Sequence, residues 1–202
     1  MSFFTILILS TLAATVYTSG NYGDIKKVPT TGASCATAKQ DKLKDCGVEA
    51  SKKLAQNDLR RINKYKSIIL SVAKQKKIDP SIIAGIMSRE SRGGSILKNG
   101  WGDHYNGFGL MQVDKRYHTP KGTWDSETHI AQAVDIFIST YNQIEKKFPG
   151  RSKEIILKGA IAGYNTGAGN VRDINDVDRR TTGKDYGNDT AARAQFFKSN
   201  GY

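Results

Sequence analysis

The sequence contains few of the residues that build metal centres or disulfide frameworks. Its 202 residues include two cysteines, three histidines and four prolines. The histidines form no HExxH motif or other metal-ligand spacing, and neither a GxSxG nucleophile elbow nor a dinucleotide fingerprint after a strand is present. These absences disfavour a zinc enzyme, an α/β-hydrolase and a nucleotide-dependent enzyme.

Long hydrophobic runs are also absent. The most apolar segment, Phe3 to Ala14, has about 12 residues, whereas a membrane-spanning helix needs roughly 20. Small residues follow this segment, and residues 1–19 carry no charged side chain. The pattern predicts a secretory signal peptide over residues 1–19, with a buried N-terminal strand or helix as the alternative. We expect a secreted, extracellular monomer without a membrane span, with one domain over residues 20–202.

Acidic residues are scarce relative to basic ones. The chain has 31 Lys and Arg against 19 Asp and Glu, a net charge of +12 at pH 7. Such an excess favours polyanionic partners, which could be nucleic acid, heparin-like glycans or the anionic wall of bacteria. The basic residues are scattered along the chain, which disfavours a disordered basic tail. They form no patch interleaved with aromatic residues, which disfavours nucleic-acid binding.

The two cysteines, Cys35 and Cys46, both precede the first long helical pattern. In a secreted chain we expect them to form a disulfide, with two free thiols as the alternative. A loop of this length stabilises the fold by roughly 2–3 kcal/mol, because it restricts the unfolded chain. A single N-glycosylation sequon begins at Asn188. It is chemically usable in a secretory chain, but such short matches often remain unmodified.

Hydrophobic periodicity predicts a mostly helical fold. Apolar residues recur at three- and four-residue spacing over positions 59–72, 82–87 and 130–148, which predicts three amphipathic helices. Asp79 and Pro80 would begin the second helix, and Ser152 would cap a further helix that runs into the glycine-rich segment 163–169. A last helix is predicted near 191–198. Asn-Gly turns favour a short hairpin across 108–113. The predicted fold class is α+β, predominantly helical, with this small β element.

Glu90 continues the apolar face of its helix instead of opposing it. Apolar residues precede it by seven, four and three positions, which places all four side chains on one face. A carboxyl group against apolar side chains is desolvated, so its pKa rises and its protonated form persists near neutral pH. A general acid that protonates a glycosidic oxygen needs this property. The alternative is a glutamate at a helix end, paired with a neighbouring arginine.

Other polar candidates lie beyond this helix. An inverting glycosidase holds its water with a second carboxylate about 6.5–9.5 Å from the acid, and Asp103 and Asp114 could supply it. Their alternative is ordinary turn capping. Tyr164 and Asn165, at the end of a predicted helix, could stack on and hydrogen-bond a sugar, or could be a buried tyrosine and its neighbour. His118 could line a groove or be a lone surface histidine.

Several long motifs resemble goose-type lysozymes. They are TTGASC at 30–35, SRES at 88–91, NGWGD at 99–103, NGFGLMQVDKR at 106–116 and GAGNVR at 167–172. The resemblance spans nearly the whole chain after the predicted signal peptide. It implies a mostly helical lysozyme-like domain with a cleft beside a small sheet. It also implies hydrolysis, with inversion, of the β-1,4 bond between N-acetylmuramic acid and N-acetylglucosamine in bacterial peptidoglycan.

The resemblance assigns roles to particular residues. It implies Glu90 as the general acid, and Asp103 and Asp114 as candidates to position the attacking water. The sugar-binding cleft would include the last three candidates: His118, Tyr164 and Asn165. It implies neither metal nor cofactor.

Three rival functions stay open at this point. A lytic transglycosylase would use the same glutamate but would close an anhydro ring instead of admitting water. A cationic antimicrobial or wall-binding module would harm bacteria without hydrolysis, and the charge of +12 supports it. A nucleic-acid binder is the weakest of the three.

Overall fold

The computed structural model describes residues 21–202, so the predicted signal peptide lies outside the described residues. Seven α-helices and one small sheet occur within this range. The helices are α1 (Cys35–Ala38), α2 (Gly47–Ile62), α3 (Lys66–Lys76), α4 (Pro80–Ser91), α5 (Glu127–Lys147), α6 (Lys153–Thr166) and α7 (Tyr186–Ser199). This composition confirms the predicted α+β class with helices predominating.

Helices α4 and α6 begin where their capping residues predicted. The Asp79 side chain accepts a hydrogen bond from the Ser81 N–H at 3.0 Å, and Pro80 takes the first helical position, where a missing N–H costs nothing. Ser152 accepts from the Ile155 N–H at the start of α6. These caps fix the starts of two helices whose far ends reach the candidate site.

The structure differs from the predicted helices at two places. The single helix expected over 59–72 is two helices, because α2 ends at Ile62 and a 3-10 turn over 63–65 precedes α3. The Asn63 side chain in this turn accepts a hydrogen bond from the Tyr202 hydroxyl at 2.7 Å, and the bend leaves both Ile62 and Ile69 fully buried. Tertiary packing thus overrides the local helical pattern. The last helix also begins at residue 186, earlier than predicted.

Helix α4 lies in the core and packs closely on α7. Nearly all of its side chains are buried, including Met87, which belongs to the main hydrophobic cluster together with Phe137 and Phe197. A Cβ atom on Gly85 would lie 2.8 Å from the Cβ atom of Ala194, so only glycine permits this approach of the two helices. The close crossing brings the end of α4 against the start of α7.

The sheet has three short antiparallel strands in the order β1 (Trp101–Gly102), β2 (Gly107–Phe108) and β3 (Val113–Asp114). Phe108 pairs with Val113, which confirms the predicted hairpin. Strand β1 was not predicted. It pairs with β2 through Gly102 and Gly107, and Gly107 also pairs with Asp114.

The N-terminal arm is anchored to the helices. Ile25 and Val28 are buried, and the side-chain amide of Gln195 donates hydrogen bonds to both of their carbonyl oxygens. A disulfide joins Cys35 to Cys46, as predicted. Among residues 21–202, no helix combines the length and apolar character needed to cross a membrane.

Candidate active site

A cleft of about 1680 Å³ runs between the helices and the sheet. Sites for small ligands measure roughly 300–1,000 Å³, so this cleft has room for an extended polymer segment. It is lined by the ends of α4 and α6, the start of α7, the sheet and one side of α5. All six predicted catalytic and sugar-binding residues line it: Glu90, Asp103, Asp114, His118, Tyr164 and Asn165.

The Glu90 carboxyl lies at the end of α4, where the Tyr186 hydroxyl donates a hydrogen bond of 2.5 Å to its Oε1 atom. Removal from water raises the pKa of Glu90 to about 7. The Tyr186 hydrogen bond and the positive charge of Arg89 oppose this increase, and the negative charge of Asp103 adds to it. Because desolvation prevails, much of the carboxyl is protonated at neutral pH, as general acid catalysis requires.

A second tyrosine, the half-buried Tyr164, connects the helices to the sheet. The Tyr164 hydroxyl donates to the main-chain oxygen of Met111 at 2.8 Å, and its ring packs against Phe137. Burial and the nearby Glu90 carboxylate hold the pKa of Tyr164 well above its usual value. Tyr164 therefore stays neutral and fixes the turn between β2 and β3 on one side of the cleft.

The two aspartates flank the same strand, β2. Asp103 follows β1 directly and Asp114 ends β3, so β2 separates them. The Arg116 guanidinium lies 2.5 Å from Asp114 Oδ2 and 3.8 Å from Asp103 Oδ2, and it therefore bridges the two carboxylates. Its hydrogen bonds hold the pKa of Asp114 below the usual value. Asp114 is therefore ionised near neutral pH, and both aspartates line the cleft with Glu90.

Gln112 lies in the turn between β2 and β3, and its side chain lies over two glycines of the sheet. Its backbone has a positive φ of 52°, which is unfavourable for a residue with a side chain. Its side-chain amide donates to the Gly109 oxygen. A Cβ atom on Gly102 or on Gly107 would lie 2.2 or 2.3 Å from the Gln112 Oε1 atom. The glycines noted in the sequence thus make room for a polar side chain on the cleft surface.

Asn165 and His118, the two remaining predicted sugar-binding residues, differ in how firmly their side chains are held. The Asn165 side chain lines the cleft, and its oxygen accepts a hydrogen bond of 2.9 Å from the Thr182 N–H. His118 is exposed, and only its main-chain N–H is held, by the Asp114 oxygen at 3.0 Å. Within residues 21–202, no group of three or more His, Cys, Asp or Glu side chains could hold a metal ion.

Comparison with known proteins agrees with this geometry. A family model described as "Lysozyme g" matches residues 22–201. The chain belongs to this family. It is 53% identical to Lysozyme G of Dromaius novaehollandiae over 98% of each chain. It is 56% identical to Lysozyme g of Cyprinus carpio over 90% of this chain and 98% of the relative. It is 40% identical to Lysozyme g-like protein 2 of Homo sapiens over 89% of this chain and 81% of the relative.

As a member of the lysozyme g family, the chain is a glycoside hydrolase. Sequence reasoning missed three residues of the cleft in this lysozyme. Tyr186 lies 96 positions from Glu90 and precedes the helix that was predicted, so no local pattern indicated it. Arg116 and Gln112 belong to the NGFGLMQVDKR motif, and the glycines around Gln112 were the available signal.

The sequon residue Asn188 of this lysozyme lies in the first turn of α7. Its Nδ2 atom donates to Asp178 at 2.7 Å, and its Oδ1 atom accepts from the Thr31 N–H at 3.0 Å. The nitrogen that would carry a glycan is therefore engaged in the folded chain. Glycosylation before folding would have to replace these contacts, and use of the sequon stays a prediction.

Proposed function

We propose that this lysozyme hydrolyses the β-1,4 bond between N-acetylmuramic acid and N-acetylglucosamine in bacterial peptidoglycan, with Glu90 as the general acid. One observation carries the proposal. A carboxyl with its pKa raised to about 7 lies in a polymer-sized cleft that Asp103 and Asp114 also line. An acid of that pKa donates a proton efficiently near neutral pH.

The hydrogen bond from Tyr186 selects which oxygen of Glu90 carries the proton. Because the hydroxyl donates to Oε1, the proton of the neutral acid is placed on Oε2. From Oε2 it can pass to the glycosidic oxygen as the bond to the anomeric carbon breaks. Glu90 becomes a carboxylate in this step, and the Tyr186 hydrogen bond then stabilises the new charge.

We assign Asp103 and Asp114 to the attacking water. In an inverting reaction, one carboxylate accepts a proton from the water as its oxygen attacks the anomeric carbon from the face opposite the leaving group. Asp114 is held by Arg116 through both carboxylate oxygens, whereas Asp103 makes its ionic contacts only at 3.8 Å. The pair would thus combine one fixed and one freer carboxylate. Proton NMR of a fresh digest should show the α-anomer first.

The main test compares wild-type protein with Glu90→Gln on purified peptidoglycan, with the released muropeptides weighed by mass spectrometry. We expect a loss of about 10²–10⁴-fold in turnover, which is typical of general acid catalysis. Glu49→Gln is the matched control, because Glu49 is exposed and pairs only with Lys52 on the surface of α2. The control should keep wild-type turnover.

The products separate the rival functions. Muropeptides that carry an added water support hydrolysis, whereas products lighter by one water would establish a transglycosylase. If wild-type protein and Glu90→Gln kill bacteria equally and neither releases muropeptides, the chain is a cationic wall binder. A loss of activity in Glu90→Gln together with hydrated products would exclude both rivals.

We further propose that the chain is secreted as a monomer and acts on bacterial walls in defence or digestion. The predicted signal peptide and the charge of +12 support this, because bacterial walls are anionic. N-terminal sequencing of protein from the culture medium should begin near residue 20. Size-exclusion chromatography with light scattering should give the mass of one chain, and a dimer mass would contradict the monomer.

A further inference from the structure

Two neighbouring contacts join α4 to α7 next to the Glu90 carboxyl. Arg89 and Glu90 are adjacent in α4, and Asp185 and Tyr186 are adjacent at the start of α7. The Arg89 guanidinium lies 3.0 Å from Asp185 Oδ1, and the Glu90 carboxyl accepts the hydrogen bond from Tyr186. Any shift of the ion pair therefore displaces the hydroxyl that contacts the acid.

A second carboxylate, that of Asp189, also pairs with Arg89. Arg89 also contacts Asp189 Oδ2 at 2.8 Å, one turn further along α7. The side chains of Arg89, Asp185 and Asp189 are 7%, 5% and 0% exposed. Buried ions are costly to desolvate, so this cluster contributes little net stability in general, although breaking it is expensive. Such an arrangement beside a catalytic acid suggests a role other than stability.

The Arg89 guanidinium also faces the Tyr186 ring, with its central carbon 5.5 Å from the ring centroid. The aspartates on either side of Tyr186 in the sequence both bind this one planar group, whose fork of donors allows two simultaneous contacts. A lysine could keep the charge but could not hold both aspartates in this geometry. The phenol of Tyr186 is thereby held between two anchored residues.

We propose that Arg89, Asp185 and Asp189 form a positioning triad: it aligns the Tyr186 hydroxyl with Glu90, and it neutralises the arginine charge that would otherwise keep the acid ionised. The proposal rests on the proposed role of Glu90 as general acid. None of the three residues needs to touch substrate.

The groups that face Glu90 come from every neighbouring element. They are Tyr186 on α7, Tyr164 on α6, Asp103 after β1 and Arg89 on its own helix. Among them Arg89 is the one positive group. Its charge favours the carboxylate form of Glu90. Asp185 offsets that charge, and Asp189 offsets it while also pairing with the buried Arg193 at 2.9 Å. Removal of one aspartate charge should therefore lower the pKa of Glu90.

Two substitutions separate charge from geometry. Asp185→Asn removes one compensating charge at nearly constant shape, so the alkaline limb of the kcat/KM profile should move to lower pH. Arg89→Lys keeps the charge but loses the two-pronged contact that aligns Tyr186, so kcat should fall roughly tenfold with KM unchanged. Because the Tyr186 hydrogen bond to Glu90 is weakened, the alkaline limb should move to higher pH, opposite to the shift in Asp185→Asn. Asp176→Asn is the control, because Asp176 forms an exposed pair with Arg179 outside the cleft.

The pKa of Glu90 is measured alongside by ¹³C NMR of the side-chain carboxyl, which does not depend on activity. A lower pKa in Asp185→Asn with an unchanged value in Asp176→Asn supports the triad. Equal losses of activity at every pH in Asp185→Asn and Arg89→Lys, with no shift of the alkaline limb, would show that the cluster has only a structural role. Glu90→Gln is assayed in parallel: full activity there would overturn the proposed function, while the NMR titration would still test the triad.

Discussion

Replacement of Tyr186 by phenylalanine removes the hydroxyl that donates to Glu90 and little else. The ring is buried and packs beneath the Arg89 guanidinium, so phenylalanine can occupy the same space. The hydroxyl donates to Oε1, which favours the ionised form of Glu90 and lowers its pKa. Its removal should therefore raise the pKa of the acid further.

The size of the change follows from the strength of the bond. A hydrogen bond to a charged group contributes about 1.5 kcal/mol at the lower end of its range, and one pKa unit corresponds to about 1.36 kcal/mol. The pKa of Glu90 should thus move from about 7 to about 8 in Tyr186→Phe. The acid would also lose the contact that selects its protonated oxygen, so kcat should fall as well.

The assay is the pH dependence of kcat/KM on purified peptidoglycan between pH 4 and pH 9. Tyr202→Phe is the matched control, because it removes a tyrosine hydroxyl that donates to Asn63 at 2.7 Å, at the C-terminus of the chain. Its profile should match the wild type. An alkaline limb that stays in place or moves to lower pH in Tyr186→Phe would refute this account of the hydrogen bond.

Three further predictions concern stability, each measured by urea unfolding. The pKa of Glu90 rises from 4.5 to about 7 on folding, so its contribution to the free energy of unfolding is lost as pH rises between those values. Glu90→Gln should therefore be more stable than wild type at pH 8, by up to about 3 kcal/mol, and equal to it at pH 4. Burial lowers the pKa of His129 from 6.5 to about 4. The stability of wild type relative to His129→Gln, which keeps an acceptor for the Met111 N–H, should therefore fall by up to about 3 kcal/mol as pH falls through this window. Replacement of both Cys35 and Cys46 by alanine should cost about 3 kcal/mol, and an unchanged urea midpoint would contradict the contribution of the disulfide.

Local patterns in the sequence predicted the features that depend on neighbouring residues. The helical face that includes Glu90, the caps at Asp79 and Ser152, and the hairpin at Phe108 all follow from spacings of a few residues. Each is set by backbone periodicity or by one hydrogen bond near in sequence. The structure therefore agrees with the predictions at these places.

Features that depend on distant contacts could not be predicted in this way. The hydrogen bond between Tyr186 and Glu90 needs the close crossing of α4 and α7, which Gly85 permits through contact with Ala194. The 3-10 turn before α3 is tied to the C-terminus of the chain through Tyr202. Neither contact leaves a periodic signal, because the partners lie more than a hundred positions apart or on different helices.

The central claim is that the fold keeps Glu90 protonated near neutral pH for donation to the glycosidic oxygen. The most direct test is a titration of its side-chain carboxyl by ¹³C NMR, with the signal assigned by its absence in Glu90→Gln. The account predicts a midpoint near 7 that coincides with the alkaline limb of kcat/KM. A midpoint near 4.5, the value of an exposed glutamate, would contradict it.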